Sequence, residues 1–453
     1  MIEIRQAEAP ADELGAAHPA PWSSQMTRAA IETVAQAAAQ LLDEGQTTER
    51  TVVATERLGR VLGLPLRVLP HWDELAVHVE GAPFADVAPA KPLGVHMGRV
   101  VATMTVIDQV CDGALSMRAA GQALAAAKRL PPVSTPRFVL FAAIGAAALG
   151  VIFGALDVTS LLLMALSAAL GALVRPWLAK RVGNPFVQPL CAAVAAGLIG
   201  AAAVRLHLSD AQGLIAICPC MVLVPGPHIL NGALDLARTR VALGAARLVY
   251  ASLTVLMICT GLLLGLAIGG ASLPPGAPSA PVPFAADVIA AGCAVMAFGA
   301  FFSMPRRLLP APVLVGMLAH AARWAVISLA GAHVATGAFV ACFLAGAIIT
   351  PISDRLHLPF AALGFSAVVS MMPGLYLFRT ASAFVSLVSL GDRAPPNLLQ
   401  TAVTNGGTAF LIILAMAFGL ILPRLLFDQY RPPDRTYDST RTPHRAPPTP
   451  ERP

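Results

Sequence analysis

The sequence predicts an α-helical polytopic membrane protein, two inverted five-helix repeats with about ten transmembrane helices, preceded by a small α+β cytoplasmic domain. Three observations predict it. Only 12% of the 453 residues are charged and 56% are hydrophobic, where soluble domains carry about a quarter charged residues. The deficit is uneven: residues 1–137 hold charge at ordinary density, and from Phe138 to Leu422 Ala, Leu, Gly and Val dominate. Basic residues also recur at alternate ends of apolar runs, each near the roughly 20 residues that a bilayer core requires.

Residues 1–24 are polar and Pro-rich and are expected to be disordered. No apolar signal segment opens them, so residues 25–137, the α+β domain and its linker, are expected to stay in the cytoplasm. Ile31, Val34, Ala38 and Leu41 repeat at helical spacing over 27–43, and Gly45 ends that helix. Thr47 or Thr48 caps a second helix through Leu62, stopped by Gly63. Alternation at 66–69 and 75–79 predicts two short strands. Helix returns at 95–109 and 117–130, and Pro131, Pro132 and Pro136 form a stiff exit toward the membrane.

Ten spans follow, at 138–156, 159–178, 185–204, 211–232, 243–269, 284–303, 309–329, 333–352, 359–380 and 401–423. They make a first five-helix repeat, 138–270, and a second, 284–423. The Pro- and Arg-rich stretch 424–453 reads as a disordered cytoplasmic tail. With the N-terminus cytoplasmic, Lys128, Arg129, Arg137, Arg175, Lys180, Arg181, Arg238, Arg240, Arg247, Arg306, Arg307, Arg355, Arg424 and Arg431 fall on the inner side. The outer ends carry Arg205, Arg379 and Arg393, and the 266–284 loop carries no basic residue. The formal charge of +6 is thus an orientation signal. No basic patch stands beside stacking aromatics, which argues against nucleic acid as a partner.

Val224-Pro225-Gly226 sits late in the fourth span, after Met221, and Met372-Pro373-Gly374 late in the ninth, after Met371; the offset is 148 residues. The same offset carries the starts of the first, third and fourth spans to within two residues of the sixth, eighth and ninth. The fifth drifts, and an insertion around 391–396 absorbs the difference. An odd number of helices per half forces the copies into opposite orientations, a secondary-transporter architecture with the binding site between halves.

Proline inside a span frees backbone carbonyls that can hold an ion or a substrate end group; an ordinary kink is the alternative. His228, Asn231 and Asp235 follow on one helical face. Either ionisable group can bind an ammonium or relay a proton. Equally, the stretch is interfacial and Asp235 pairs Arg238 or Arg240; the spacing leaves both open. Asp157, before Thr159 and Ser160, lines a site or caps the second span. Arg379 binds a carboxylate or snorkels to the interface, and Arg323 is the other basic residue nearest a span interior. Asn405-Gly406-Gly407-Thr408 reads as a polar break in the last span, or as a close-packing stripe. Seven Cys with no CxxC pair predict no metal site. Neither GxxxxGK[ST], HExxH nor GxSxG occurs, so no enzyme chemistry, catalytic residue or cofactor is expected.

Pro225-Gly226, Asn231, Asp235 and then Gly244-x-x-Arg247 resemble the signature of the threonine/serine exporter family, P-G-x(4)-N-x(3)-D-L followed by G-x-x-R. Asp157 and Arg181-Val182-Gly183-Asn184-Pro185-Phe186 are similar to its first half. Met371-Met372-Pro373-Gly374 is similar to its shorter five-helix domain, and the resemblance covers roughly residues 28–423. Two departures stand out: Arg238-Thr239-Arg240 replaces an acidic residue, and His228 an apolar one. The resemblance implies a secondary active transporter in a bacterial inner membrane, exporting threonine, serine or a similar small amino acid. Some split two-subunit relatives are associated instead with succinate, a small dicarboxylate. Its expected partners are the small-molecule substrate, a coupling ion (the proton) and the lipid bilayer; a homo-oligomer stays open. The substrate/ion site is then expected at Pro225, Gly226, His228, Asn231, Asp235, Arg247, Asp157, Pro373, Gly374 and Arg379. Asp235 or His228 would carry the coupling proton. A membrane-anchored sensor or scaffold is the rival, weakened by the duplication, which an anchor does not need.

Overall fold

The computed structural model describes residues 24–80, 85–209, 211–273, 282–355 and 360–430. The segments 1–23 and 431–453, expected to be disordered, lie outside the described residues. Near the N-terminus, α1 (Ser24–Asp43), α2 (Thr48–Val61), α3 (Met97–Cys111) and α4 (Met117–Lys128) pack with an antiparallel sheet. The sheet runs β1 (Leu66–Pro70), β2 (Glu74–Val79), β3 (Ala85–Pro89) in that order. Alternating burial along β1 and β2 turns Leu66, Val68, Leu75 and Val77 inward against α1 and α2. β3 was not anticipated, since Val87 is its one β-branched residue; pairing with β2 recruits it.

The second part consists of α5 (Thr135–Ile152), α6 (Val158–Arg181), α7 (Val187–Arg205), α8 (Gln212–Met221), α9 (Gly226–Ala237) and α10 (Val241–Ile268). Then come α11 (Phe284–Phe301), α12 (Pro310–Ser328), α13 (Val334–Arg355), α14 (Phe360–Val368), α15 (Gly374–Leu390) and α16 (Asn397–Tyr430). Among the described residues nine helices are long and apolar enough to cross a membrane, or ten if α8 and α9, bent by 60° at their break, count as one span. α6 exposes Leu162, Leu166, Leu170, Leu173 and Trp177, a stripe at three- and four-residue spacing suited to acyl chains.

Several elements differ from expectation. Pro136 stands in the first turn of α5, where a missing N–H costs nothing. The ninth span extends through α15 to Leu390, because Leu375–Leu390 stays apolar beyond Arg379. Asn405 to Thr408 lie within an unbroken α16, where the Asn405 amide donates to the Thr401 carbonyl at 2.9 Å. The tail expected from Arg424 is helical as far as Tyr430. Pro423 removes one hydrogen bond, but Leu425, Leu426 and Phe427 continue the apolar run.

α7 packs on α10, and α13 on α16, closely enough that backbones touch. A Cβ on Gly261 would meet the Leu190 carbonyl and one on Gly265 the Val194 carbonyl. In the later pair, a Cβ on Gly419 would stand 2.8 Å from the Phe339 carbonyl.

Candidate functional site

Pro225 and Pro373 stand just before the starts of α9 and α15, after the preceding helical turns have stopped at Met221 and Met371, and not inside a bent helix. Gly226 N donates to the Val224 carbonyl at 2.8 Å around Pro225 (φ −79°, ψ 62°). Gly374 N donates to the Met372 carbonyl at 2.8 Å around Pro373 (φ −78°, ψ 40°). Each is an inverse γ-turn, forced where proline supplies no N–H and glycine admits a close neighbour. A 3-10 turn, Val369–Met371, leads into the second.

The two breaks meet. A Cβ on Gly226 would stand 2.8 Å from Val369 Cγ2, and one on Gly374 2.8 Å from Met221 Cγ. Met221 and Val369 are 148 residues apart, as are Gly226 and Gly374. The same contact is therefore made twice, with the roles of the two segments exchanged.

One turn past the first break, His228, Asn231 and Asp235 share a face, and that face meets the N-terminal domain. The Asn231 amide points to the Gly45 carbonyl at 3.4 Å. Gly45 holds φ +92°, a conformation open to glycine, and so turns that carbonyl out of α1. Thr48 Oγ1 donates to Asp235 Oδ2 at 2.9 Å. Arg247 Nε lies 3.1 Å from the same oxygen, and its Nη2 donates to Thr48 Oγ1 at 3.4 Å. Asp235 and Arg247 are both buried. The glycines of the motif explain the reach: a Cβ on Gly244 would stand 2.9 Å from the Gly232 carbonyl, so α9 and α10 approach closely one turn from the pair. The pairing of Asp235 with Arg238 or Arg240 does not occur; both arginines instead grip Glu49, at 3.1 Å and 2.6 Å. Burial alone would raise the Glu49 carboxyl, but these guanidiniums hold it below its ordinary value.

A cavity of about 330 Å3 opens beside the first break, between α5, α6, α7 and α10. Ser167, Arg175, Gln188, Pro225, His228 and Tyr250 line it, and Leu93 and Val95 of the N-terminal domain cover it. His228 Nε2 stands 3.0 Å from the Pro92 carbonyl, which can only accept, so in the neutral ring Nε2 carries the hydrogen. His228 Nδ1 and Ser167 Oγ are buried without a hydrogen-bond partner among the described residues. Tyr250 packs against His228, Phe186 and, from the N-terminal domain, Trp72, at centroid distances of 5.1, 5.5 and 5.5 Å.

The remaining expected residues are dispersed. Asp157 is exposed and caps α6, its Oδ2 accepting from Ser160 N at 2.8 Å. Arg379 is half-buried on α15, beyond the second break. Arg175 and Ser167 escaped the sequence reading, Arg175 because it passed for an orientation charge. Its place more than a turn inside Lys180 and Arg181 was the available signal. A third group was also missed: His320 on α12 lies 3.2 Å from Asp287 Oδ2 on α11 and 3.0 Å from Ser370 Oγ. All three are fully buried.

No solved structure matches the chain. Residues 32–269 match the ThrE family model and residues 287–426 the second model, described as threonine/serine exporter, ThrE. Together these matches span both the N-terminal domain and the two sets of membrane helices, and the chain belongs to the threonine/serine exporter family of membrane transporters.

Proposed function

We propose that the protein exports threonine, serine or a similar small amino acid, driven by the proton gradient, by alternating access of two inverted halves. The cavity at the Pro225 break carries this reading. Arg175 offers a cation for the substrate carboxylate, and His228 Nδ1 and Ser167 Oγ offer acceptors for its ammonium and hydroxyl groups. The paired γ-turns and their exchanged contacts support an inverted repeat, with the breaks as the point about which the halves rock. The distribution of basic residues supports an N-terminal domain on the cytoplasmic side of a bacterial inner membrane. There the loop at 91–95 covers the cavity through Leu93 and Val95 and must lift for substrate to enter, while the loop at 44–48 docks alongside on Asn231 and Asp235.

The test is efflux from cells loaded with Thr- or Ser-containing dipeptides, with and without the gene. Faster, uncoupler-sensitive release of Thr or Ser is the expected outcome; identical release would sink the amino-acid reading. The cavity lining holds one Arg and no carboxylate among the described residues, which also suits a small dicarboxylate such as succinate. Measuring succinate in the same medium separates the two.

A further inference from the structure

His320 is the one imidazole among the described residues that joins a carboxylate to a hydroxyl inside the membrane helices. Asp287 sits in the first turn of α11, His320 in the middle of α12, and Ser370 in the 3-10 turn that runs into Pro373. Ionisable groups buried among membrane helices are costly and are retained where they move ions or protons. The remaining charged neighbour is Arg323, one turn along α12. Cys342 of α13 faces Arg323, and α14 carries no ionisable side chain. A gap of about 10 Å3, near the size of one water, borders Ser370, Arg323 and Pro373.

We propose that Asp287, His320 and Ser370 form the site that takes up the coupling proton, and that its occupancy acts on the second break through Ser370. This rests on the proton-driven exporter reading, and it moves the proton from Asp235 or His228 to the other half. Asp235 is held by Arg247 and Thr48, and the open nitrogen of His228, Nδ1, is assigned to the substrate, which leaves His320 as the better carrier. In the unloaded site, neutral His320 donates from Nδ1 to the Asp287 carboxylate and accepts at Nε2 from the Ser370 hydroxyl. One proton from water adds to Nε2. The ring becomes an imidazolium, now a donor on both sides, and the Ser370 hydroxyl must turn to accept. The group changes from net −1 to neutral, and no other bond forms or breaks. The reoriented hydroxyl lies three residues before Pro373. Pro373 precedes Gly374, which presses on Met221 and hence on the cavity-side break. Proton binding and the substrate cavity are thereby joined through the contact between the two breaks.

The test uses the purified full-length protein. Infrared difference spectra between about pH 5 and about pH 8 read protonation of the buried imidazole and the accompanying shift of the Asp287 carboxylate band. In liposomes, labelled serine is followed both as serine–serine exchange and as movement driven by a pH gradient. Asp287→Asn and His320→Gln should lose the spectral change. They should retain exchange within about twofold and lose gradient-driven movement by about tenfold or more. Ser370→Ala leaves both charged partners in place. It should keep the spectral change yet uncouple transport, which a merely structural role would not produce. Gradient-driven movement with a wild-type pH profile in all three variants overturns the proposal while the exporter reading stands. A wild type that binds the proton but moves no serine overturns the exporter reading and leaves the proton site. No protonation change in the wild type overturns the site outright.

Discussion

Asp235 meets the Arg247 guanidinium and the Thr48 hydroxyl where α9, α10 and the first turn of α2 converge. Its spacing from His228 and Asn231 correctly grouped the three on one face, since a helix repeats every 3.6 residues. Its partner was misjudged for a physical reason. Arg238 and Arg240 follow the end of α9 and turn to Glu49, whereas Arg247 lies two turns into α10, where only glycine packing brings it close. A buried pair of this kind is weakest when half is removed. Asp235→Asn leaves the Arg247 charge buried and should lower stability by about 3–5 kcal/mol. Adding Arg247→Gln should recover more than half of that loss in thermal melts in detergent. A double variant no more stable than the single one would contradict the account. Asp287 and His320 were illegible for the opposite reason: one ionisable residue inside a run of Ala, Gly and Val barely alters its hydropathy, and the pairing of α11 with α12 supplies the partner.

At the scale of the element, proline and glycine made the two broken spans visible, since each acts locally on the backbone. Whether they were kinks or stops depended on the residues across the gap. Gly374 faces the flexible Met221 side chain, and Gly265 faces a carbonyl. Gly374→Ala should therefore cost about 1–3 kcal/mol and reduce export, and Met221→Ala in the same chain should restore much of both. Gly265→Ala should have no such rescue, because the Val194 backbone cannot be trimmed. Export and melting temperature of these three variants check this; rescue of Gly265→Ala by a side-chain truncation on α7 would count against it. The ends of α15 and α16 were less legible, because turns past Arg379 and Pro423 are stabilised by apolar surroundings that hydropathy alone does not place.

For the whole molecule, hydropathy and charge separate a charged N-terminal stretch from an apolar remainder, but how the first part packs on the second was invisible in the sequence. The first turn of α2 touches both sets of helices. Thr48 reaches Asp235, and Arg50 reaches Asp354 on α13 at 2.5 Å. α3 adds its own end: Met97 N donates to the Phe302 carbonyl at 2.7 Å, so one helix's free amides meet another's free carbonyl. These contacts link residues up to 304 positions apart, beyond any local pattern. Arg50→Ala should loosen the docked loops without unfolding the domain. Hydrogen exchange at 44–48 and 91–95 should quicken about tenfold, with β2 unchanged. Equal acceleration in β2 would mean that the domain itself had been destabilised.

The meeting of the two breaks also constrains how such chains diversify. A larger side chain at 374 must be answered at 221, and one at 226 at 369 or 372, although each pair straddles nearly 150 positions. Relatives should therefore exchange these residues in matched sets. Where the halves are encoded as separate polypeptides, the matching must pass between two genes, so that neither can drift without the other.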